Sequence, residues 1–76
     1  MAMNGKSQDI AYFLSFCIEQ YMVAKSLSGR ETVELFRKYG VLEYLQDFFD
    51  VIHTQSRQWI IDDIDRFIKI REQEGK

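Results

Sequence analysis

The sequence predicts an all-α fold, a compact bundle of about four helices that forms one domain over residues 1–76, with an ordered core at about 7–72. Apolar residues recur at three- and four-residue intervals in four successive segments, which is the spacing of one helix face. The chain contains no proline, and its four glycines lie near the ends of these segments, where helices begin and end. A length of 76 residues leaves room for a single hydrophobic core.

The first helix is predicted from about Asp9 to Ala24. Apolar side chains cover most of its circumference, which places this helix at the centre of the bundle. Asn4 or Ser7 is the expected N-cap, because the side-chain oxygen of either residue can accept a hydrogen bond from the first turn. Its inner face carries Ile10, Phe13, Leu14, Cys17 and Tyr21.

The second helix has the clearest local signal in the chain. Ser28 is followed three residues later by Glu31, the spacing of a capping box, in which each side chain accepts a hydrogen bond from the backbone of the other residue. The helix is predicted to end at Gly40, because glycine readily adopts the left-handed conformation that terminates helices.

The third helix is predicted from about Val41 to His53. Glu43, Asp47 and Asp50 follow one another at four- and three-residue steps, so they should form one exposed acidic stripe. Its buried face is expected to carry Leu42, Leu45, Phe48, Phe49 and Ile52.

The fourth helix is predicted from about Arg57 to Glu72, after a polar break in which Thr54 or Ser56 can act as its N-cap. A small β-hairpin around residues 51–61 is the alternative for this part of the chain. Short β-prone runs lie on both sides of the polar break, and they would form its two strands.

Acidic residues cluster near the start of the fourth helix. We expect two i, i+4 ion pairs, one between Asp62 and Arg66 and one between Asp65 and Lys69. A metal site at these residues and Asp63 is disfavoured, because adjacent acids on a helix point in different directions.

Composition argues against several functional classes. The chain has one cysteine, Cys17, and one histidine, His53, so it can form neither an intrachain disulfide nor a structural zinc site with four nitrogen or sulfur ligands. A net charge of −2 differs from the clustered positive charge of nucleic-acid-binding domains. No apolar run approaches the roughly 20 residues that span a bilayer, and the first residues do not resemble a signal peptide. We therefore expect a cytoplasmic protein with no cofactor, no nucleic acid and no membrane among its partners.

His53 lies in the densest polar group of the sequence. It could act as a general base, with Asp50 or a later aspartate orienting it and Ser56 or Cys17 as the nucleophile. The simpler interpretation is structural, because a histidine at a helix C-terminus interacts favourably with the helix dipole and a cysteine on an apolar face is usually buried and inert. No phosphate-binding glycine loop or nucleophile elbow is present, so we expect no catalytic residue.

The second and third helices, joined at Gly40, superficially resemble a helix-turn-helix motif. The third helix would then enter the major groove of DNA, but its outward charges are acidic and would be repelled by phosphates.

The uneven distribution of charge indicates a protein partner instead. Residues 1–40 carry a net charge of +1 and residues 41–76 a net charge of −3. Six phenylalanines, four tyrosines and one tryptophan are a heavy aromatic load for this length, so part of it is expected to lie in an interface. The expected interaction surface comprises Glu43, Tyr44, Asp47, Asp50, His53, Gln55 and Trp59.

The order of several short motifs resembles a known family. The motifs are Phe16-Cys17-Ile18-Glu19, Ser28-Gly29, Leu35-Phe36, Tyr39-Gly40-Val41, Val51-Ile52-His53-Thr54-Gln55 and Asp63-Ile64-Asp65. Over about residues 10–70 they are similar to DUF3791, a family of short bacterial proteins of unknown function. The resemblance implies a bacterial origin and a stand-alone domain. It also implies an antitoxin or accessory role beside an ADP-ribosyltransferase-like toxin.

The leading functional hypothesis is therefore a non-enzymatic protein–protein interaction or regulatory module. Its partner is another protein or, in a homodimer, a second copy. The alternatives are the antitoxin or accessory role, a small enzyme that uses His53, and a nucleic-acid-binding regulator.

Overall fold

The computed structural model describes the backbone of residues 2–75 and the side chains of residues 7–75. Its five helices are α1 (Ala2–Lys25), α2 (Gly29–Tyr39), α3 (Val41–Asp47), α4 (Phe49–Ile52) and α5 (Arg57–Glu74). The described residues contain no strand, so the predicted all-α bundle is confirmed. The alternative hairpin over residues 51–61 is wrong, because those residues form the end of α4, a polar turn and the start of α5.

The first helix is longer than the apolar pattern predicts. α1 begins at Ala2 instead of near Asp9, so both expected N-caps, Asn4 and Ser7, lie inside the helix. Residues 2–8 carry few apolar side chains, and periodicity therefore did not detect them. They contain no proline, and Gly5, which was expected near a helix end, lies inside α1 although glycine lowers helix propensity.

The predicted third helix is divided at Phe48. Its φ of −110° and ψ of 23° depart from helical values and separate α3 from α4. Backbone hydrogen bonds still cross the break, from the Phe48 N–H to the Tyr44 carbonyl and from the Ile52 N–H to the Phe48 carbonyl. The ring of Phe48 is 53% exposed, so its predicted place on the buried face is wrong. Phe49 and Ile52 are buried instead, as predicted.

The predicted helix signals between the elements are confirmed. Ser28 and Glu31 form both hydrogen bonds of the capping box, at 3.0 and 2.9 Å. Gly40 has a φ of 71°, a left-handed conformation that ends α2 and begins α3 within one residue. The Ser56 hydroxyl accepts a hydrogen bond from the Trp59 N–H at 3.1 Å and so caps α5.

The hydrophobic core lies around α1, which contacts α2, α3 and α5. Its central position agrees with the prediction from its broad apolar surface. Every helix contributes to this core, and the side chains that are almost fully buried are Cys17, Thr32, Phe36, Val41, Leu45 and Ile64. Thr32 is polar, and its hydroxyl donates a hydrogen bond to the Ser28 carbonyl at 2.9 Å.

Two tyrosine–aspartate hydrogen bonds hold α5 against the other helices. The Tyr21 hydroxyl of α1 donates to Asp65 Oδ1, and the Tyr44 hydroxyl of α3 donates to Asp63 Oδ2, each at 2.6 Å. We call these two pairs the tyrosine clamps. Burial, followed by the hydrogen bond to Asp63, raises the pKa of Tyr44 to about 12. The same two causes, with Asp65 as the acceptor, raise the pKa of Tyr21.

The ion pairs that the clamp carboxylates form differ from the two pairs predicted within α5. Asp65 contacts Lys25 Nζ of α1 at 2.6 Å instead of Lys69. Arg66 contacts Asp63 at 3.1 Å instead of Asp62. Asp63 is almost buried, so charge from Arg66 and the tyrosine hydroxyl together compensate its loss of hydration.

Candidate functional site

A shallow groove between α1 and the α4 segment is lined mainly by aromatic side chains. Its volume is about 390 Å³. The lining residues are Asp9, Tyr12, Phe13, Phe16, Phe49 and His53. We call this feature the α1–α4 groove.

The floor of the groove belongs to the hydrophobic core. Phe13 and Phe49 are both buried, and their rings meet edge to face with centroids 5.4 Å apart. The rim is different, because Tyr12 is 78% exposed and Phe16 is 41% exposed. The groove therefore has a fixed aromatic floor and an exposed aromatic rim on α1.

His53 forms part of the opposite wall. Its ring is stacked on Phe49, with centroids 4.3 Å apart and an interplanar angle of 10°. Its Nδ1 lies 2.6 Å from the Phe49 carbonyl oxygen. A carbonyl oxygen only accepts hydrogen bonds, so Nδ1 carries the proton and the ring is held in one orientation. The predicted position of His53 at a helix end is confirmed, since it directly follows α4.

Each of the two nucleophiles considered for His53 has a structural role in the fold. Cys17 is 1% exposed, and burial raises the pKa of its thiol to about 12, so the reactive thiolate is disfavoured. Ser56 uses its side-chain oxygen to cap α5. The chemistry that the groove offers is thus apolar and aromatic contact beside the carboxylate of Asp9.

The residues predicted as an interaction surface are distributed over several parts of the molecule. His53 lies in the α1–α4 groove, while Asp47 and Asp50 are exposed on α3 and α4. Glu43 lines a separate cleft near the end of α2, together with basic residues of α2 and α5. Gln55 is half-buried in the turn before α5.

The two aromatic members of that predicted surface have different environments. Tyr44 is half-buried, belongs to a tyrosine clamp and stacks on Phe67 with centroids 4.3 Å apart. Trp59 is 38% exposed in the first turn of α5.

Sequence reasoning missed the part of the groove that α1 contributes. It did not distinguish Phe16 from the broad apolar surface of the first helix, and it gave no role to Tyr12. The available signal was the spacing of these two aromatics, one turn apart on the outer side of α1. An apolar circumference hides such a second face, because a central helix in a bundle shows the same pattern.

The described side chains include no group of three or more histidines, cysteines or acids placed to hold a metal ion. None of the described helices is both long enough and apolar enough to cross a bilayer.

The fold and the groove define a small all-α protein with an aromatic surface site. A family model described as "Protein of unknown function (DUF3791)" matches residues 12–71, and the chain therefore belongs to this family. The resemblance inferred from the short motifs is thus confirmed. The match includes all groove residues except Asp9. No curated protein and no solved structure matches the chain.

Proposed function

We propose that this protein is a non-enzymatic interaction module that binds a partner through the α1–α4 groove. The observation that carries the proposal is the exposure of Tyr12 and Phe16 above the buried rings of Phe13 and Phe49. Aromatic side chains that fill or line pockets contribute most of the energy of many protein interfaces. An exposed aromatic rim loses unfavourable contact with water when a partner covers it.

Single exposed apolar residues are common on protein surfaces and do not by themselves indicate binding. Val23 and Ile70 are examples in this chain, at 62% and 49% exposure. The groove differs because two exposed aromatics lie one turn apart and border a shallow concave surface with a buried aromatic floor. A partner side chain can therefore contact the buried floor and the exposed rim at the same time, and clustered aromatic contacts of this kind are typical of interface hot spots.

We also propose that the module acts in the cytoplasm of a bacterium. The family resemblance supports the bacterial origin. The lone, buried Cys17 supports a reducing compartment, because small domains of oxidising compartments usually carry paired cysteines.

Site-specific photo-crosslinking in cells of the source organism tests the proposed binding site. Photo-reactive benzoylphenylalanine replaces Tyr12 in one variant and Ile70 on α5 in a matched control. We expect a discrete cross-linked product from position 12 and none from position 70. Phe16→Ala in the same chain as the position-12 probe should strongly reduce the product, because it removes half of the exposed rim.

Equal products from both positions would contradict the proposal, since they would show contact without a preferred surface. The absence of any product from position 12, in a chain that is folded by circular dichroism, would contradict it as well.

A further inference from the structure

We infer that the α1–α4 groove binds a basic amphipathic helix of another protein, an inference that rests on the proposed function. The outer face of α1 carries the order acid, aromatic, aromatic, acid at Asp9, Tyr12, Phe16 and Glu19. At 3.6 residues per turn, these four positions fall within about 80° of one helix face. Both acidic side chains are exposed. The exposed aromatic rim is thus bracketed by one carboxylate on each side.

The charge of the surrounding chain points to the same kind of partner. Residues 9–16 and 49–53, the two stretches that line the groove, contain two acidic residues and no lysine or arginine. Basic residues of α1 occur only outside this stretch, at Lys6 and Lys25. A partner with positive charge around an apolar centre would be attracted to this wall, whereas an acidic partner would be repelled.

The same order of residues disfavours a second copy as the occupant. The spacings between the four positions are three, four and three, so the order reads the same in both directions. In an antiparallel pairing of two α1 helices centred on the aromatics, Asp9 faces Glu19 of the other copy. In a parallel pairing each acid faces its own equivalent. Either arrangement places like charges opposite each other at both ends of the aromatic contact, which opposes pairing.

The geometry of the walls indicates a helical partner. Tyr12 and Phe16 on the α1 side of the groove are four residues apart, and so are Phe49 and His53 on the α4 side, a rise of about 6 Å in each case. A helix presents apolar side chains at the same interval, which is the usual mode of helix binding in a groove. On such a partner helix, one lysine or arginine would lie three residues before the first apolar side chain and another three residues after the second. These two basic side chains would then lie near Asp9 and Glu19.

Designed peptides provide the test on the full-length protein. The first peptide is an alanine- and glutamine-based helix with two leucines four residues apart and a lysine three residues outside each leucine. Matched peptides carry glutamine or glutamate in place of both lysines. Fluorescence anisotropy of the labelled peptides at low salt measures their affinities. We expect the lysine peptide to bind at least about tenfold more tightly than the glutamate peptide, with the glutamine peptide between them.

Charge reversal on the protein should invert this preference. In the Asp9→Lys/Glu19→Lys variant, the glutamate peptide is expected to bind more tightly than the lysine peptide. The Glu34→Lys/Glu74→Lys variant is the matched control, because it makes the same change in net charge at exposed positions on α2 and α5. This control should retain the wild-type preference.

Several results would overturn the inference while leaving the proposed function intact. One is equal affinity for the three peptides, and another is an inversion of preference by the control variant as well. A third is a product of twice the chain's mass from the photo-reactive probe at position 12, which would identify a second copy.

If no peptide binds, the sequence of the cross-linked segment in the captured protein tests the inference. A segment without flanking basic residues overturns the inference, and the absence of any product from position 12 overturns both proposals.

Discussion

Tyr44 and Tyr12 place the same type of side chain in two opposite environments. Tyr44 donates its hydroxyl proton to Asp63 and stacks on Phe67, so helix α5 provides partners for both its polar and its apolar part. Tyr12 is 78% exposed, and the groove beside it offers only the buried floor and the ring of His53. The tyrosine clamp therefore stabilises the fold, whereas the α1–α4 groove leaves aromatic surface available for a partner.

This difference has an energetic consequence that mutations can measure. Truncation of an aromatic residue in the core or the clamps removes buried contacts and must reduce the free energy of unfolding. Truncation at the rim of the groove removes surface that water already contacts, so it should affect binding far more than stability.

Phe36→Ala should cause the largest loss, about 3–5 kcal/mol of the free energy of unfolding, because its ring is fully buried. That ring also lies 5.3 Å from the ring of Tyr21, a clamp residue. Phe48→Ala is the matched control, and its 53% exposure leads us to expect a loss below about 1 kcal/mol. Urea denaturation followed by circular dichroism measures both values. Similar losses for the two variants would contradict the described core.

Asp63→Ala should have an intermediate effect, a loss of about 1–3 kcal/mol, because it leaves the half-buried Tyr44 hydroxyl without its acceptor. Asp62→Ala, at the exposed neighbouring position, should change stability by less than about 0.5 kcal/mol. A double-mutant cycle with Tyr44→Phe separates the clamp from other effects of Asp63. Additive losses in this cycle would show that the two side chains do not stabilise each other.

The ionisation of Tyr44 should produce a smaller effect, because water still reaches its half-buried ring. Its pKa is raised from 10.0 to about 12 in the folded chain, so the unfolded chain loses this proton first as the pH rises. The contribution is therefore fully present below pH 10 and is lost as the pH approaches 12.

Urea midpoints at several pH values in this alkaline range test the effect. The midpoint should fall less in Tyr44→Phe than in the wild type. Cys17 also has a raised pKa and is present in both proteins, so the difference between them isolates the tyrosine. Parallel declines would contradict the assignment.

The features of the fold that depend on local chemistry could be predicted from the sequence. The capping box at Ser28, the left-handed Gly40 and the cap at Ser56 each involve residues only a few positions apart, and all three are confirmed. The helical periodicity also predicted most of the core correctly. The break at Phe48 could not be predicted, because neither glycine nor proline marks it and the apolar pattern continues through it.

Features that depend on contacts between distant residues were harder to predict. Asp63 was expected in an acidic cluster at the start of a helix, but it is buried, and Tyr44, nineteen positions away, makes its burial favourable. The groove also needs α1 and α4 to lie side by side, and no local pattern specifies that pairing. Of the residues predicted as an interaction surface, His53 lies in the groove, while the rim formed by Tyr12 and Phe16 became visible only in the structure.

The most direct test of the central claim is a parallel measurement of stability and binding for the Tyr12→Ser/Phe16→Ser double variant. We predict that its free energy of unfolding stays within roughly 1–2 kcal/mol of the wild type. We also predict that it loses binding of the lysine peptide. A loss of stability as large as that of Phe36→Ala, or unchanged peptide binding in a folded variant, would show that these two aromatics do not form a binding surface.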